Sequence, residues 1–134
     1  MRAINNIVLH CTGTPKNTTI ESIQRYWREV LKWKNPGYHY IVQADGRITP
    51  LQPISLIANG VAGHNPDSIH VAYIGGEKFD DRTPEQARSM LGIVRELQLN
   101  FPGVRVCGHR DFPGVTKECP RFDVKEWIGK YNTI

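Results

Sequence analysis

The chain of 134 residues lacks long apolar runs, blocks of like charge and any dense cysteine pattern. No apolar stretch approaches the roughly 20 residues that a membrane helix needs. The N-terminus opens directly into a short strand-like run and shows no signal-peptide pattern. We therefore expect synthesis in the cytosol and no insertion into a membrane. The length is that of one domain, covering residues 1–134, and we expect a monomer.

The positive charge is spread along the chain. The formal net charge is +4, yet no block of five or more basic residues occurs. A basic protein suits an anionic partner, such as nucleic acid, a membrane surface or the bacterial wall. Because the sequence has neither a basic helix nor a stacking-aromatic motif, we do not expect it to bind nucleic acid.

Strand-like and helix-like segments alternate along the sequence. The patterns predict strands at 4–10, 38–43, 47–49, 69–74 and 104–107, and helices that begin near Thr18, Thr83 and Asp123. Thr18-x-x-Glu21 and Thr83-x-x-Gln86 have the spacing of a capping box, in which two side chains satisfy free backbone N–H groups. Strands interleaved with helices predict an α/β domain built on a central sheet.

Three side chains stand where catalytic groups are often found, at strand ends and in the loops that follow. His10 closes the first predicted strand, His109 follows the last one, and Cys119 lies late in the next loop. Histidine and cysteine are preferred zinc ligands, and a catalytic zinc needs three protein ligands plus water. Spacing alone leaves open three unrelated polar residues, one a buried thiol. A disulfide is a further alternative, which cytosolic origin disfavours.

Six short motifs follow one another in a fixed order. They are His10-Cys11-Thr12-Gly13-Thr14, Gly37-Tyr38-His39-Tyr40, Asn65-Pro66-Asp67-Ser68-Ile69, Gly75-Gly76, Gly108-His109-Arg110-Asp111 and the segment TKECPRFD at 116–123. In this order and at these intervals they resemble the N-acetylmuramoyl-L-alanine amidases of the phage-lysozyme type, which share a fold with peptidoglycan recognition proteins. The resemblance covers nearly the whole chain.

This resemblance implies a fold, a cofactor and an activity. The fold would be a mixed sheet of five or six strands flanked by helices, with one Zn²⁺ in a groove on one face. His10, His109 and Cys119 would hold the zinc, and Tyr38 and Lys117 would be catalytic. The substrate would be bacterial peptidoglycan, cut between the lactyl group of N-acetylmuramic acid and L-alanine. The enzyme would reach the wall only after release from the cytosol.

Other interpretations of the same residues remain open at this point. Tyr38 alone is also an ordinary strand aromatic, and Lys117 alone is a typical solvated loop cation. The alternative function is a non-catalytic peptidoglycan-binding module, since recognition proteins that lose a zinc ligand bind without cutting. The presence of all three candidate ligands here favours the enzyme. Cys11 and Cys107, beside the candidate ligands, are interpreted as buried thiols.

One loop departs from the family pattern. Many relatives carry a G-x-H element before the N-x-x-S-I motif, whereas residues 59–65 here read NGVAGHN. We assign His64 and Asn65 as substrate-binding residues of this loop. His39 should point to the opposite side of its strand from Tyr38 and serve packing. His70 replaces a glycine common in the family, and the sequence predicts no role for it.

Overall fold

The computed structural model describes residues 2–131, whose elements surround one sheet. The strands are β1 (Asn6–Cys11), β2 (Tyr40–Val42), β3 (Ile48–Pro50), β4 (Ser68–Tyr73) and β5 (Arg105–Gly108), and the helices are α1 (Ile20–Arg25), α2 (Pro84–Asn100) and α3 (Val124–Gly129). A π-helical segment, Tyr26–Val30, continues α1 directly, and short 3-10 turns occupy Asn65–Asp67 and His109–Asp111. None of the described helices has the length and apolar character needed to span a bilayer.

The sheet is mixed, with the strand order β3-β2-β4-β1-β5. β1 pairs in parallel with β4 on one side and with β5 on the other, and β2 also runs parallel to β4. Only β3 is antiparallel, because it returns from β2 through a tight turn in which Gly46 has a φ of 88°. The structure thus confirms the predicted α/β fold with a mixed central sheet flanked by helices.

The two faces of the sheet are used differently. Ile7, Leu9 and Cys11 alternate along β1 and join the main core formed with α2 and α3. Val8 and His10 project from the other face, as the two-residue period of a strand requires. Val8 joins a smaller apolar cluster there, and His10 is 1% exposed. A buried polar side chain on this second face must find partners within the protein.

Helix α2 begins as predicted and is held to the sheet by a buried amide. Thr83 and Gln86 form the capping box, with reciprocal side-chain to backbone bonds. Gln86 is fully buried, and its Nε2 donates to the backbone oxygens of Val42 and Ile74 at 3.1 and 3.0 Å. Its Oε1 accepts a bond from Lys16 Nζ at 2.9 Å. This one side chain therefore connects the helix N-terminus with two parallel strands.

The beginning of α1 differs from the sequence prediction. The N-cap is Thr19, whose side chain accepts from the Ser22 backbone N–H, and not Thr18. The N–H of Thr18 donates instead to Pro15 O, so Thr18 belongs to the preceding turn. Beyond residue 25 the backbone of this segment is π-helical. Every predicted strand end is displaced by one or two residues; β2, for example, begins at residue 40 and not at residue 38.

We expect Gln86→Leu to lower the free energy of unfolding by about 1–3 kcal/mol, because a leucine of similar volume leaves buried polar groups without their partner. The measurement is the urea midpoint of unfolding. Arg88→Ala on the same helix is the control, since its ion pair with Glu85 is solvent-exposed and should change stability by less than about 0.5 kcal/mol. Equal midpoints for the two variants would contradict the role assigned to the amide.

Candidate metal centre

The carboxyl ends of β1 and β5 bring two histidines together. Leu9 of β1 is paired in register with Gly108 of β5, so His10 and His109 follow this pair side by side. Their ring centroids are 5.0 Å apart. Gly108 permits the approach of the next loop, because a Cβ at this position would lie 2.7 Å from Pro120 Cδ. Ligand sites in parallel sheets commonly form at this end of the strands.

Cys119 reaches the same place from the loop after β5. The backbone N–H of Cys11 donates to Cys119 Sγ at 3.2 Å, and the N–H of Arg110 donates to Cys119 O at 2.9 Å. The next residue, Pro120, follows a cis peptide bond, and its carbonyl accepts a 2.7 Å bond from the Tyr73 hydroxyl. The Cys119 thiol is therefore held in place by hydrogen bonds to its sulfur, to its own carbonyl oxygen and to the carbonyl oxygen of Pro120.

The three predicted ligands form a cluster that could hold a metal ion. One ligand atom each from His10, His109 and Cys119 lies within 4.8 Å of the others. Cys119 Sγ is 3.9 Å from His10 Nδ1. A tetrahedral zinc with ordinary bond lengths separates its ligand atoms by roughly 3.3–3.6 Å, so the three side chains would move closer together on binding the ion. Two imidazoles and a thiol are also the donor types that zinc prefers.

The surroundings of both imidazoles favour their uncharged form. Burial lowers the pKa of His10 well below its ordinary value, and the neighbouring His70 and His109 lower it further. Burial also lowers the pKa of His109, with a second contribution from the charge of Lys117. Neutral imidazoles have a free ring nitrogen for a metal. The hydrogen bond with Cys11 and burial raise the pKa of Cys119, and a bound cation would lower it and favour the thiolate.

A groove of about 410 Å³ opens beside these three residues. One wall is aromatic, formed by Trp27, Trp33 and Tyr38. Trp27 and Trp33 stack with ring centroids 6.4 Å apart, and a Cβ at Gly37 would lie only 2.9 Å from the Trp27 ring. Trp27 is buried and also lines the groove, a role that no motif in the sequence indicates.

Tyr38 lies between the aromatic wall and the candidate ligands. It precedes β2 and is half-buried, with its ring centroid 5.1 Å from that of His10. Its hydroxyl donates to Cys11 O at 3.4 Å, which is long for a hydrogen bond between two oxygens. Burial raises the pKa of Tyr38, and the nearby thiols of Cys119 and Cys11 raise it further. The phenol is thus held in its protonated form.

The charged wall of the groove comes from the loop after β5. Lys117, Glu118 and Arg121 line it together with Cys119. Lys117 is exposed, and its charge contributes to the lowered pKa of His109. Arg121 is half-buried, because its Nε donates to Gly76 O at 3.1 Å. The structure brings Tyr38 and Lys117 to the same groove as the ligand cluster, and their catalytic roles remain predictions.

The structure places His64 and Asn65 differently from Tyr38 and Lys117. Within residues 2–131 neither is among the residues that line the groove. The His64 ring packs 4.4 Å from that of Phe112, measured between centroids. Asn65 Oδ1 accepts the backbone N–H of Val61 at 2.8 Å. The contacts of both side chains are with the protein itself, and their assignment to substrate binding stays a prediction.

His70 is a component of the site to which the sequence assigned no role. Its Nδ1 lies 2.9 Å from His10 Nε2, and its Nε2 lies 2.8 Å from Asn65 Oδ1. Burial lowers its pKa to about 3, with a smaller effect from His39. The β1–β4 register pairs Val8 with His70, which places His70 on the His10 face. Strand alternation gives the face but not the register, so this contact could not be predicted.

The comparisons with known proteins agree with this arrangement. The family model described as N-acetylmuramoyl-L-alanine amidase matches residues 1–122. The endolysin of Enterobacteria phage T3 is 31% identical over 135 residues, which cover 96% of this chain and 87% of that protein.

Solved structures show the same fold. The amidase LysC from Clostridium intestinale URNW superposes with a TM-score of 0.83 at 27% identity, covering 98% of this chain and 87% of that one. The Ph2119 endolysin from a Thermus scotoductus MAT2119 bacteriophage gives a TM-score of 0.86 at 24% identity, covering 97% and 85%. With a family match over most of its length and a ligand cluster at the expected strand ends, the chain belongs to the N-acetylmuramoyl-L-alanine amidase family.

Proposed function

We propose that this amidase is zinc-dependent and hydrolyses the bond between the lactyl group of N-acetylmuramic acid and L-alanine in bacterial peptidoglycan. The observation that supports this most strongly is the convergence of His10, His109 and Cys119 beside a groove that Tyr38 and Lys117 also line. Membership of the family supports the reaction class. In this proposal the enzyme acts on the wall after release from the cytosol, and the endolysins among its relatives support this order of events.

The chemistry of an amide explains why these groups are needed together. An amide carbonyl is a weak electrophile and water is a weak nucleophile at neutral pH. Zinc held by two imidazoles and a thiolate would lower the pKa of water toward about 7 and polarise a carbonyl. The chain's own residues must then orient the substrate, meet the negative charge that develops on its oxygen, and deliver a proton to the leaving amine.

Lys117 and Tyr38 are suited to these two tasks. Lys117 lies two residues before Cys119 and lines the groove, where its ammonium group can stabilise an oxyanion. Tyr38 keeps its proton because burial raises its pKa. Its hydroxyl can orient water or pass a proton to the leaving nitrogen. The aromatic wall beside Tyr38 offers apolar surface against which a sugar ring or an alanine methyl group can pack.

The bond that is cut can be identified from the products. Disaccharide-peptide fragments of purified peptidoglycan should yield an intact disaccharide with a free lactyl carboxylate and a stem peptide that begins with L-alanine. Mass spectrometry distinguishes this from cleavage within the peptide or the glycan. If zinc-loaded protein binds the fragments and leaves them intact, the chain is a binding module and the proposal is wrong.

We expect protein purified without added metal to contain close to one zinc per chain. Cys119→Ser should lose most of it, because a hydroxyl is a much poorer zinc ligand than a thiolate. The measurement is elemental analysis of the purified proteins. Cys107→Ala removes a buried thiol that packs in an apolar cluster and should retain the metal. Full activity with less than about a tenth of an equivalent of zinc would contradict the assignment.

We expect Lys117→Ala and Tyr38→Phe each to keep the zinc and the fold while turnover falls. Loss of a donor that meets transition-state charge costs about 100- to 1000-fold, and loss of a proton-transfer group costs about 100-fold or more. Turnover, zinc content and melting temperature are measured for each variant.

Matched control variants distinguish the loss of a catalytic group from a nonspecific effect of substitution on turnover. Lys125→Ala removes an exposed lysine from α3, and Tyr40→Phe removes a hydroxyl from β2 at the core formed with α2. Both controls should stay within about threefold of the parent turnover. A Lys117 or Tyr38 variant with more than about a third of the parent turnover would show that the residue is not catalytic.

A further inference from the structure

A chain of hydrogen bonds extends from the candidate metal ligand His10 into the protein. His10 Nε2 lies 2.9 Å from His70 Nδ1, and His70 Nε2 lies 2.8 Å from Asn65 Oδ1. The backbone N–H of Val61 donates to the same Asn65 oxygen at 2.8 Å. His10 and His70 are 1% and 0% exposed, so water does not compete for these bonds.

The donor and acceptor of each hydrogen bond in this series follow from the Val61 N–H, which lies at the end away from His10. A backbone N–H can only donate, so the Asn65 atom that it meets is the carbonyl oxygen, which can only accept. His70 Nε2 must therefore carry a proton. A neutral His70 then accepts at Nδ1, and His10 donates from Nε2. This leaves the lone pair of His10 on Nδ1, the atom that lies 3.9 Å from Cys119 Sγ.

We propose that His70 and Asn65 are positioning residues that hold His10 in its metal-binding tautomer and orientation, and that they thereby raise the affinity of the site for zinc. This proposal rests on the proposed zinc site but goes beyond the three ligands. Partners of this kind usually contribute about 10- to 100-fold to metal affinity, because a free imidazole must otherwise be oriented when the metal binds.

The His70 ring is itself held in place by its surroundings. The His39 ring stacks on it with the two planes 12° apart, and the His70 backbone N–H donates to His39 Nδ1 at 2.9 Å. On another side the ring fills the space over Gly60, where an added Cβ would overlap it. A ring confined in this way can orient a neighbour, because it has few alternative positions. Gly60 therefore contributes to the positioning of His70, because its lack of a side chain leaves room for the ring.

The hydrogen bonds of Asn65 give it a positioning role, which differs from the substrate-binding role assigned from the sequence. The two roles can be distinguished by experiment. A residue that contacts substrate affects KM and leaves the metal affinity unchanged, whereas a positioning residue affects the metal affinity first. Asn65→Leu removes the acceptor, and Asn65→Asp keeps an oxygen for both the Val61 N–H and the His70 ring. The proposal predicts weaker zinc binding for Asn65→Leu and near-normal binding for Asn65→Asp.

The direct test is the zinc dissociation constant, measured by competition with a chromophoric chelator. His70→Phe retains a ring but lacks the acceptor, and we expect its zinc affinity to fall about 10- to 100-fold. His70→Asn, whose Oδ1 can occupy the place of Nδ1, should stay within about fivefold of the parent. Cobalt substitution gives a spectroscopic readout, since the thiolate-to-metal absorption should be altered in His70→Phe and preserved in His70→Asn.

Gly60 offers an independent test through a double-mutant cycle. Gly60→Ala alone should displace the His70 ring and weaken zinc binding. In a His70→Gly background the same added methyl group meets no ring, so it should cause little further loss. Strong non-additivity supports the proposal, and independent, additive effects of the two changes on zinc affinity would contradict it.

Ile69→Val controls for general destabilisation of β4. Ile69 is buried on the opposite face of the strand, in the main core, so this change should lower the melting temperature and leave zinc affinity unchanged. If His70→Phe and Asn65→Leu bind zinc as tightly as the parent, the proposal is overturned, whatever the activity. If the parent protein binds zinc without cutting peptidoglycan, the proposed function fails while the affinity comparison still decides the positioning role.

Discussion

The parallel pairing of β1 with both β4 and β5 is the constraint on which the site depends. Because β1 lies between two strands of the same direction, the ends of all three strands meet at one edge of the sheet. His10 is delivered by β1 itself, and His109 by the turn that follows β5. No long loop has to be ordered to bring the two imidazoles together, which keeps the entropic cost of assembling the site low.

The main energetic difficulty of the site is the burial of polar rings. His10, His39 and His70 are all within 1% of complete burial, where an unpaired polar atom costs about 1–3 kcal/mol. The structure resolves this by bonding them to one another and to backbone groups, as in the 2.9 Å bond from the His70 N–H to His39 Nδ1. Satisfied networks of this kind are rigid, which suits a centre that must hold three ligands in a fixed geometry.

The sequence allowed much of this to be predicted, and the failures have identifiable causes. Strand and helix patterns predicted the α/β fold, and the resemblance to the amidase family singled out His10, His109 and Cys119 as zinc ligands, which the structure brings into one cluster. The N-cap of α1 was misplaced by one residue, because Thr18 and Thr19 offer nearly the same local signal. The contact between His10 and His70 depends on strand register, which arises from long-range pairing. No local pattern contains it.

We propose that His10, His109 and Cys119 together hold one zinc ion and leave its fourth position open to water. X-ray absorption at the zinc edge of the purified protein tests this most directly, because sulfur and nitrogen neighbours differ in distance and scattering. A zinc ion held by these three residues and a water should show one sulfur at about 2.3 Å and three nitrogen or oxygen neighbours at about 2.0–2.1 Å. A shell with no sulfur would exclude Cys119 as a ligand. A shell with two would show that Cys11 also binds the metal, and either result would contradict the three-ligand centre described here.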